Sequence, residues 1–176
     1  TDARLDVSAL MQHIAGGERG PVMAMAEDMR LDAGLLWILG QAALRPALHA
    51  ACRQVSPLPE DISWGEGRCP VCGAAATLAE LRNNNLSKHL RCGQCGADWR
   101  LRRLQCAHCG NEEHRTLKLL YVEGEQGTRR IEACDKCFRY LKVITSFSPT
   151  PPEMLMAEDL ATLHLDYIAQ EHGYGR

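Results

Sequence analysis

Eight of the nine cysteines in this 176-residue sequence occur as four C-x-x-C pairs. A C-x-x-C turn directs two sulfur atoms toward one point, which suits a pair of metal ligands. Four disulfides, or four redox-active pairs, are the alternatives, but neither kind of protein usually repeats a two-residue gap four times. The spacing therefore favours metal-binding thiolates in a reduced protein. The pairs are Cys69/Cys72, Cys92/Cys95, Cys106/Cys109 and Cys134/Cys137, and Cys52 stands alone.

The spacing between pairs also predicts how the cysteines divide into sites. Gaps of 19 and 24 residues follow Cys72 and Cys109, and both suit two knuckles separated by a β-hairpin. Only 10 residues separate Cys95 from Cys106. The segment ADWRLRRLQ within this gap predicts one extended strand, which would hold its ends roughly 30 Å apart, whereas the ligands of one tetrahedral site lie about 4 Å from each other. We predict one site from Cys69, Cys72, Cys92 and Cys95 and a second from Cys106, Cys109, Cys134 and Cys137, with an interleaved arrangement as the alternative.

A site closed by four thiolates leaves no coordination position for water or substrate. This favours a structural or electron-transfer metal over a hydrolytic one. Zinc and iron both accept a tetrahedral set of four sulfurs, so the spacing does not distinguish them. The glycines at 73, 93, 96 and 110 support knuckle turns because glycine permits positive φ, whereas Phe138 follows the last cysteine pair.

The flanking segments predict helices. Residues 1–56 contain LDVSALMQHIAGG, which ends in two glycines, and a longer segment that begins after Asp32 as N-cap. In the longer segment Pro46 should introduce a kink, and apolar residues recur at helical spacing at Leu36, Leu39, Ala43, Ala47 and Ala50. After PTPP, the segment EMLMAEDLATLHLDYIAQEHGY predicts one C-terminal helix with an apolar stripe at Leu160, Leu163, Tyr167 and Ile168.

Together these elements predict an α+β protein with two tandem rubredoxin- or zinc-ribbon-like units of four cysteines each. The predicted segments are a helical region (1–56), a first ribbon (57–104), a second ribbon (105–148) and a C-terminal helix (149–176). A Pro- and Gly-rich linker is expected over 56–68, and a turn at Asn83–Asn85. No apolar run reaches the roughly 18 residues that a membrane helix needs. No signal peptide is visible, but the chain begins with Thr1, which predicts a fragment.

Charge and motifs bear on the class of function. Six basic residues and one acid occur between Arg82 and Arg103, so a nucleic-acid-binding or transcription-related zinc ribbon is one hypothesis. The net charge of −2 weakens this hypothesis, and ion pairs or bonds to backbone carbonyls would account for the arginines equally well. The sequence shows no Gly-rich phosphate loop, nucleophile elbow or H-E-x-x-H motif, so we predict a protein that is not an enzyme.

The order of these motifs resembles the formate dehydrogenase accessory protein family of the FdhE type. The resemblance runs from about Asp32 to Tyr174 through CPVCG, LRCGQCGADWRLRRLQCAHCG, ACDKC followed by FRYLKVI, and EDLATLHLDYIAQEHGY. The most specific positions are Trp99 and Arg103, between the second and third knuckles, and the EDLATLHLD segment. The family has a longer N-terminal region than this chain.

The resemblance implies a cytoplasmic assembly factor that binds the catalytic subunit of formate dehydrogenase before export. It also implies a rubredoxin-like character, two metal ions with iron favoured over zinc, and metal ligation by the eight paired cysteines, with no role for Cys52 and no catalytic residue. We expect no contact with membranes, little with nucleic acid, and leave self-association open. The segment ADWRLRRLQ would be a rigid joint between the two ribbons. Its exposed side chains around the second and third knuckles are candidates for holding the ribbons together or for contact with the partner, namely Trp99, Arg100, Arg102 and Arg103.

Overall fold

The structure is a computed structural model that describes residues 5–55, 64–82 and 86–176. The predicted turn at Asn83–Asn85 and most of the predicted linker lie outside these ranges. The chain divides between Ala50 and Ala51 into two compact units. None of the helices in the described ranges is both long enough and apolar enough to cross a membrane.

The first unit is helical, as predicted. Its helices are α1 (Val7–Gly16), α2 (Arg19–Asp28) and α3 (Ala33–Val55). Gly17 ends α1 in left-handed geometry with φ 73°, and the Asp32 carboxylate accepts the Leu35 N–H at 2.7 Å to begin α3. The core of this unit consists of Leu10, Ile14, Val22, Ala26 and Leu36.

Only the first part of the predicted apolar stripe of α3 is buried. Leu36 belongs to the core, whereas Leu39, Ala43, Ala47 and Ala50 are exposed. Close packing against α1 occurs at Gly40, where an added Cβ would lie 1.9 Å from Ile14 Cδ1. The helix continues through Pro46, which has no N–H to donate within the helix. Helical spacing therefore identified the helix correctly, but not the residues that it buries.

The described part of the second unit contains one mixed sheet of six strands in the order β3-β2-β1-β6-β5-β4. Each ribbon contributes three consecutive strands, and neighbours within a ribbon are antiparallel. The ribbons join where β1 and β6 run parallel, from Ala79↔Val143 to Arg82↔Ser146. The strands are β1 (Leu78–Arg82), β2 (Ser87–Arg91), β3 (Asp98–Arg100), β4 (Leu117–Leu120), β5 (Arg129–Cys134) and β6 (Arg139–Ser146).

The segment between the second and third knuckles differs from its prediction. The expected strand over 97–105 is limited to Asp98–Arg100, and the chain then turns at 103–105 toward the third knuckle. This segment is therefore not a rigid extended joint between the ribbons. The β1–β6 pair provides that joint, and a parallel pairing between residues more than 60 positions apart leaves no mark in the local sequence.

The C-terminal segment covers one face of the sheet and is not one helix. A 3-10 turn (Pro152–Met154) leads into α4 (Leu155–Ala161), and α5 (Leu163–Glu171) follows a break at Thr162. The predicted apolar stripe is wrong, because Leu160, Leu163 and Tyr167 are exposed, and Ile168 is only partly buried. The side chains that the helices bury are instead Leu155, Asp159, Thr162, Leu165, Asp166 and Ala169.

Two of these buried side chains are carboxylates because the sheet presents a lysine to the helices. Lys142 of β6 is about 1% exposed, and its ammonium lies 2.8 Å from Asp159 Oδ1 and 2.7 Å from Asp166 Oδ2. The Tyr140 hydroxyl donates to Asp166 Oδ1 at 2.6 Å. A buried ammonium needs such partners, since an unpaired charge in the core costs several kcal/mol. The face of α4 and α5 that packs on the sheet therefore combines these carboxylates with the buried side chains of Leu155, Leu165 and Ala169.

Candidate metal centres

The eight paired cysteines gather into two groups of four sulfur atoms among the described residues. Within each group the sulfur atoms all lie within 4.8 Å of one another. The first cluster consists of Cys69, Cys72, Cys92 and Cys95, and the second of Cys106, Cys109, Cys134 and Cys137. These are the two predicted sets, and the interleaved arrangement does not occur.

The sulfur spacing suits a tetrahedral metal ion. Metal–sulfur bonds of about 2.3 Å place the sulfurs of a regular tetrahedron about 3.8 Å apart. In the second cluster Cys106 and Cys137 are separated by 3.7 Å and Cys109 and Cys134 by 3.8 Å. In the first cluster the corresponding distances are 3.4 and 3.5 Å, slightly shorter than the ideal edge. Four metal–sulfur bonds to one ion in each cluster could therefore be formed with small movements of the side chains.

The four knuckles that carry the cysteines share one backbone turn. In each, the residue after the second cysteine donates its N–H to the carbonyl of the first, at 2.8–3.0 Å. That residue is glycine in three knuckles, with φ between 72° and 78°, and Phe138 in the fourth, with φ 53°. Left-handed geometry costs a residue with a side chain about 1 kcal/mol. Phe138 shows that the turn is required there although the sequence lacks glycine.

Hydrogen bonds within the knuckles act on the sulfur atoms. The N–H groups of Val71 and His108 each lie 3.4 Å from the first sulfur of their knuckle, and the Asn111 amide donates to Cys134 Sγ at 3.5 Å. Burial opposes ionisation of Cys134, but the N–H groups of Cys137 and Lys136, the Asn111 amide and Cys109 together hold its pKa at about 7. Such donors stabilise thiolates, the form of cysteine that binds metal.

Four cysteine thiols with sulfur atoms this close together cannot all ionise without a cation, because the resulting thiolates repel one another. In the second cluster burial, followed by the proximity of Cys109 and Cys106, raises the pKa of Cys137 to about 12. In the first cluster the neighbouring thiols, Cys69 foremost, raise the pKa of Cys95 far above its usual range. A divalent ion at the centre removes this repulsion, because a coordinated thiol loses its proton. The donor set therefore fits a bound metal ion.

The two clusters differ in their exposure. Three sulfur-bearing residues of the first cluster are buried and Cys72 is partly buried. In the second cluster Cys109 is exposed and Cys137 is partly buried, and an open cavity beside them is lined by Gly110, Asn111 and Lys136. The second cluster is thus the one that solvent and other molecules reach.

The ninth cysteine takes no part in either cluster. Cys52 is buried near the end of α3, and His49, three residues earlier, joins it in no group of metal-binding side chains within residues 5–55, 64–82 and 86–176. The sequence reasoning missed Asn111, whose amide contacts a cluster sulfur. Its only signal is its position after the third knuckle, where its carbonyl accepts the Cys106 N–H at 2.8 Å.

The structure separates the four predicted partner contacts into two kinds. Trp99 is 4% exposed, and its indole N–H donates to the Glu66 carbonyl at 3.0 Å. Its side chain is therefore part of the core and offers almost no surface to a partner. Arg100, Arg102 and Arg103 are exposed, and contact between these residues and a partner stays a prediction.

Much of the basic stretch serves the fold. Glu80, which is fully buried, receives the guanidinium groups of Arg82 and Arg91. Lys88 is also buried and donates to the Gln105 carbonyl and to Glu132. Half of the six basic residues are thus used inside the protein, as the alternative to a nucleic-acid surface predicted.

Comparison with known proteins agrees with this architecture. A family model described as "FdhE, C-terminal domain" matches residues 104–176, which hold the second cluster and the C-terminal helices. An FdhE homolog of Edwardsiella ictaluri is 34% identical over 181 residues, covering 94% of this chain. The chain belongs to the FdhE family. The protein FdhE of Escherichia coli O127:H6 is 32% identical over 117 residues, or 64% of this chain.

A crystal structure of the FdhE protein from Pseudomonas aeruginosa supports the same fold. It covers 100% of this chain, with a TM-score of 0.65 and 27% sequence identity. This FdhE-type chain corresponds to 63% of the P. aeruginosa chain, 54% of the E. ictaluri protein and 37% of the E. coli protein. It therefore spans about half the length of the FdhE relatives that it matches.

Proposed function

We propose that this chain belongs to a cytoplasmic accessory factor for formate dehydrogenase, which binds the catalytic subunit before export and performs no catalysis itself. The observation that carries the proposal is the match of the FdhE C-terminal domain to residues 104–176, a region that includes a complete cluster of four cysteines. Closed clusters of this kind suit a binding scaffold, because four protein ligands leave a metal no position for substrate.

In the proposed factor each cluster holds one metal ion, and iron is favoured over zinc on the family resemblance. The bound ion would fix two knuckles to each other at the end of a three-stranded ribbon. Binding of a structural metal contributes on the order of 10 kcal/mol to the folding of small metal-binding domains. The ribbons bury little apolar surface of their own, so we expect metal binding to decide whether they fold.

The contact surface of the proposed scaffold lies between the second and third knuckles. Arg100, Arg102 and Arg103 are exposed there, and the pair between Arg102 and Glu112 is open to solvent. An exposed pair of this kind contributes about 0–1 kcal/mol, so a partner carboxylate could replace Glu112 at little cost. We therefore expect the catalytic subunit to present acidic groups to this surface.

Metal content tests the first part of the proposal. Protein purified without oxygen and without added metal should contain two metal ions per chain, and iron–thiolate sites should absorb visible light. Zinc in both sites would contradict the preference for iron and leave the scaffold role intact. A chain that folds fully without any metal would contradict the structural role of the clusters.

Co-purification with the catalytic subunit tests the second part. The wild-type factor should retain the subunit, and Arg100→Glu combined with Arg102→Glu should reduce retention strongly, because the introduced acids repel acidic groups. Arg53→Glu is a matched charge reversal at an exposed position of α3 and should leave retention unchanged. Failure of the wild-type factor to retain the subunit would contradict the proposal.

A further inference from the structure

Strand β4 lies at one edge of the sheet, and its open side can pair with a strand of another chain. It pairs with β5 from Leu117↔Cys134 to Leu120↔Ile131, and none of the described strands lies on its other side. An open strand edge presents N–H and C=O groups that an additional strand can pair with. Its short length limits the contact to a few residues.

The register shows which backbone groups face the open side. Asp135 donates its N–H to the Thr116 carbonyl at 2.8 Å, so Thr116 and Asp135 form a hydrogen-bonded pair. Such pairs alternate with non-bonded pairs in antiparallel sheets. The backbone groups of Leu117 and Leu119 therefore point away from β5. The Leu117 N–H is donated to His114, which leaves the Leu117 carbonyl and both groups of Leu119 on the open edge.

A cavity of about 260 Å³ lies next to this edge, on the sheet face that carries Leu117 and Leu119. Leu104 also lines it, and Leu104 and Leu119 are 63% and 55% exposed. Pockets for drug-sized molecules usually measure roughly 300–1,000 Å³. The cavity is thus better suited to one or two apolar side chains of a peptide.

The rim of the cavity is cationic. Four lysines and arginines line it, namely Lys88, Arg103, Lys118 and Arg130, against the single carboxylate of Glu132. Glu132 accepts from the buried Lys88 at 2.6 Å and from Arg130 at 3.1 Å, and Lys118 lies 3.5 Å from Asp135, so the positive charge that remains comes mainly from the exposed Arg103. The buried Nε of Arg130 has no hydrogen-bond partner within the described ranges. The surplus positive charge favours an acidic ligand.

We propose that β4 and this cavity form a docking site for an extended segment of a partner protein in which apolar and acidic residues alternate. Such a segment would add a strand at Leu119, as in other cases of strand addition. Its apolar side chains would lie beside Leu104, Leu117 and Leu119, and the acidic ones would point to the opposite face of the sheet, toward Lys118. A second copy of this chain fits less well, because it would bring the same positive charges to the edge.

The inference rests on the proposed function only for the identity of the partner protein. Strand docking can be measured with a model peptide and without that partner. The probe is a fluorescein-labelled nine-residue peptide in which valine and glutamate alternate. Binding to the metal-loaded full chain is followed by fluorescence anisotropy. We expect saturable binding that weakens with added salt, and a peptide with lysine in place of glutamate should not bind.

N-methylated peptides test the backbone contact directly. N-methylation at every second residue blocks one side of the strand and leaves side-chain composition nearly unchanged. Methylation of the set that faces β4 should weaken binding about tenfold, and methylation of the other set should have little effect. Equal effects from both sets, or none from either, would overturn the strand geometry.

Protein variants locate the site. Leu119→Pro removes the outward N–H without removing a bond to β5, and edge strands tolerate proline; it should weaken binding about tenfold. Leu104→Glu places a negative charge in the cavity and should weaken binding of the glutamate peptide. Residue 104 lies outside the strands, so the sheet should remain unchanged. Tyr167→Ala, at an exposed position of α5, should bind as the wild type does. Metal content and circular dichroism confirm that each variant is folded.

Each outcome of these binding experiments either supports or overturns the docking site at β4. Full binding by Leu104→Glu, or by a folded Leu119→Pro, overturns the proposal. A wild-type dimer that Leu119→Pro abolishes would assign the edge to a second copy instead. Peptide binding with no retention of the formate dehydrogenase subunit supports the docking site and counts against the proposed function. Retention of the subunit without peptide binding would support the proposed function and count against the docking site.

Discussion

The carboxylate of Asp166 lies 2.7 Å from the ammonium of Lys142, and this pair joins α5 to the sheet. Both side chains are buried, and Asp159 completes the arrangement from α4. The C-terminal helices are thus held by charges that were taken out of water together, in addition to the packing of Leu155, Leu165 and Ala169. This arrangement makes the helices sensitive to changes at one residue.

Lys142→Met should destabilise the second unit by up to about 3 kcal/mol, because Asp159 and Asp166 lose their buried cation and keep only Arg176, which is partly exposed. Thermal unfolding of the metal-loaded protein measures the effect. The double variant Lys142→Met with Asp166→Asn should recover part of the loss. If the single variant unfolds at the wild-type temperature, the pair is not important for docking of the helices.

Glu80→Gln should weaken the joint between the ribbons. Glu80 lies on β1, next to the parallel partner β6, and its carboxylate receives Arg82, Arg91 and the Thr150 N–H. Removal of its charge leaves the buried guanidinium group of Arg91 without a carboxylate, whereas Arg82 keeps Asp98, at a cost of about 3–5 kcal/mol. Hydrogen exchange should show faster opening of β1 and β6. Unchanged exchange there would contradict the assigned role.

The fourth knuckle offers a test of backbone strain. Phe138→Gly should stabilise the protein slightly, by up to about 0.5 kcal/mol, since relief of the left-handed strain exceeds the added flexibility of the unfolded chain. Gly73→Ala is the matched opposite change, with no atom near the added Cβ, and should destabilise by about 1 kcal/mol. Denaturant unfolding at fixed metal concentration measures both, and a reversed order would contradict the strain at Phe138.

The second cluster should lose its metal to a chelator before the first. Cys109 is exposed, whereas three cysteines of the first cluster are buried and Cys72 is partly buried, so we expect a difference in rate of about an order of magnitude. Loss of metal can be followed with a metal-sensitive dye. Alkylation and mass spectrometry should then modify Cys109 and Cys137 before Cys69 and Cys92. Simultaneous loss from both clusters would contradict the difference in protection.

Most of the metal chemistry could be predicted because it is local. A C-x-x-C turn needs two cysteines and a residue that accepts left-handed geometry, and five consecutive letters show both requirements at three of the four knuckles, the exception being Phe138. The division into two clusters was also predicted correctly, although the strand proposed to separate them is only three residues long. The turn at 103–105, and not an extended strand, brings the third knuckle to its place.

The errors concern residues whose environment depends on distant parts of the chain. Trp99 looked like a partner contact, but the Glu66 carbonyl and the sheet enclose it. The apolar spacing of Leu160, Leu163 and Tyr167 suggested a buried stripe, yet these side chains face outward because Lys142 draws the opposite face inward. The spacing of apolar residues within a helix gives no information about a buried lysine on a strand nearly 20 residues away.

The sequence by itself determined the two groups of four cysteines, three of the knuckle turns, the helical first unit and the FdhE family. Each of these depends on short-range spacing, which the chain carries wherever it folds. Only the tertiary structure decided that the two ribbons form one sheet through β1 and β6, that the basic stretch is partly buried, and that β4 remains an open edge. These features arise from hydrogen bonds and ion pairs between distant residues, whose strength depends on burial that no local pattern reports.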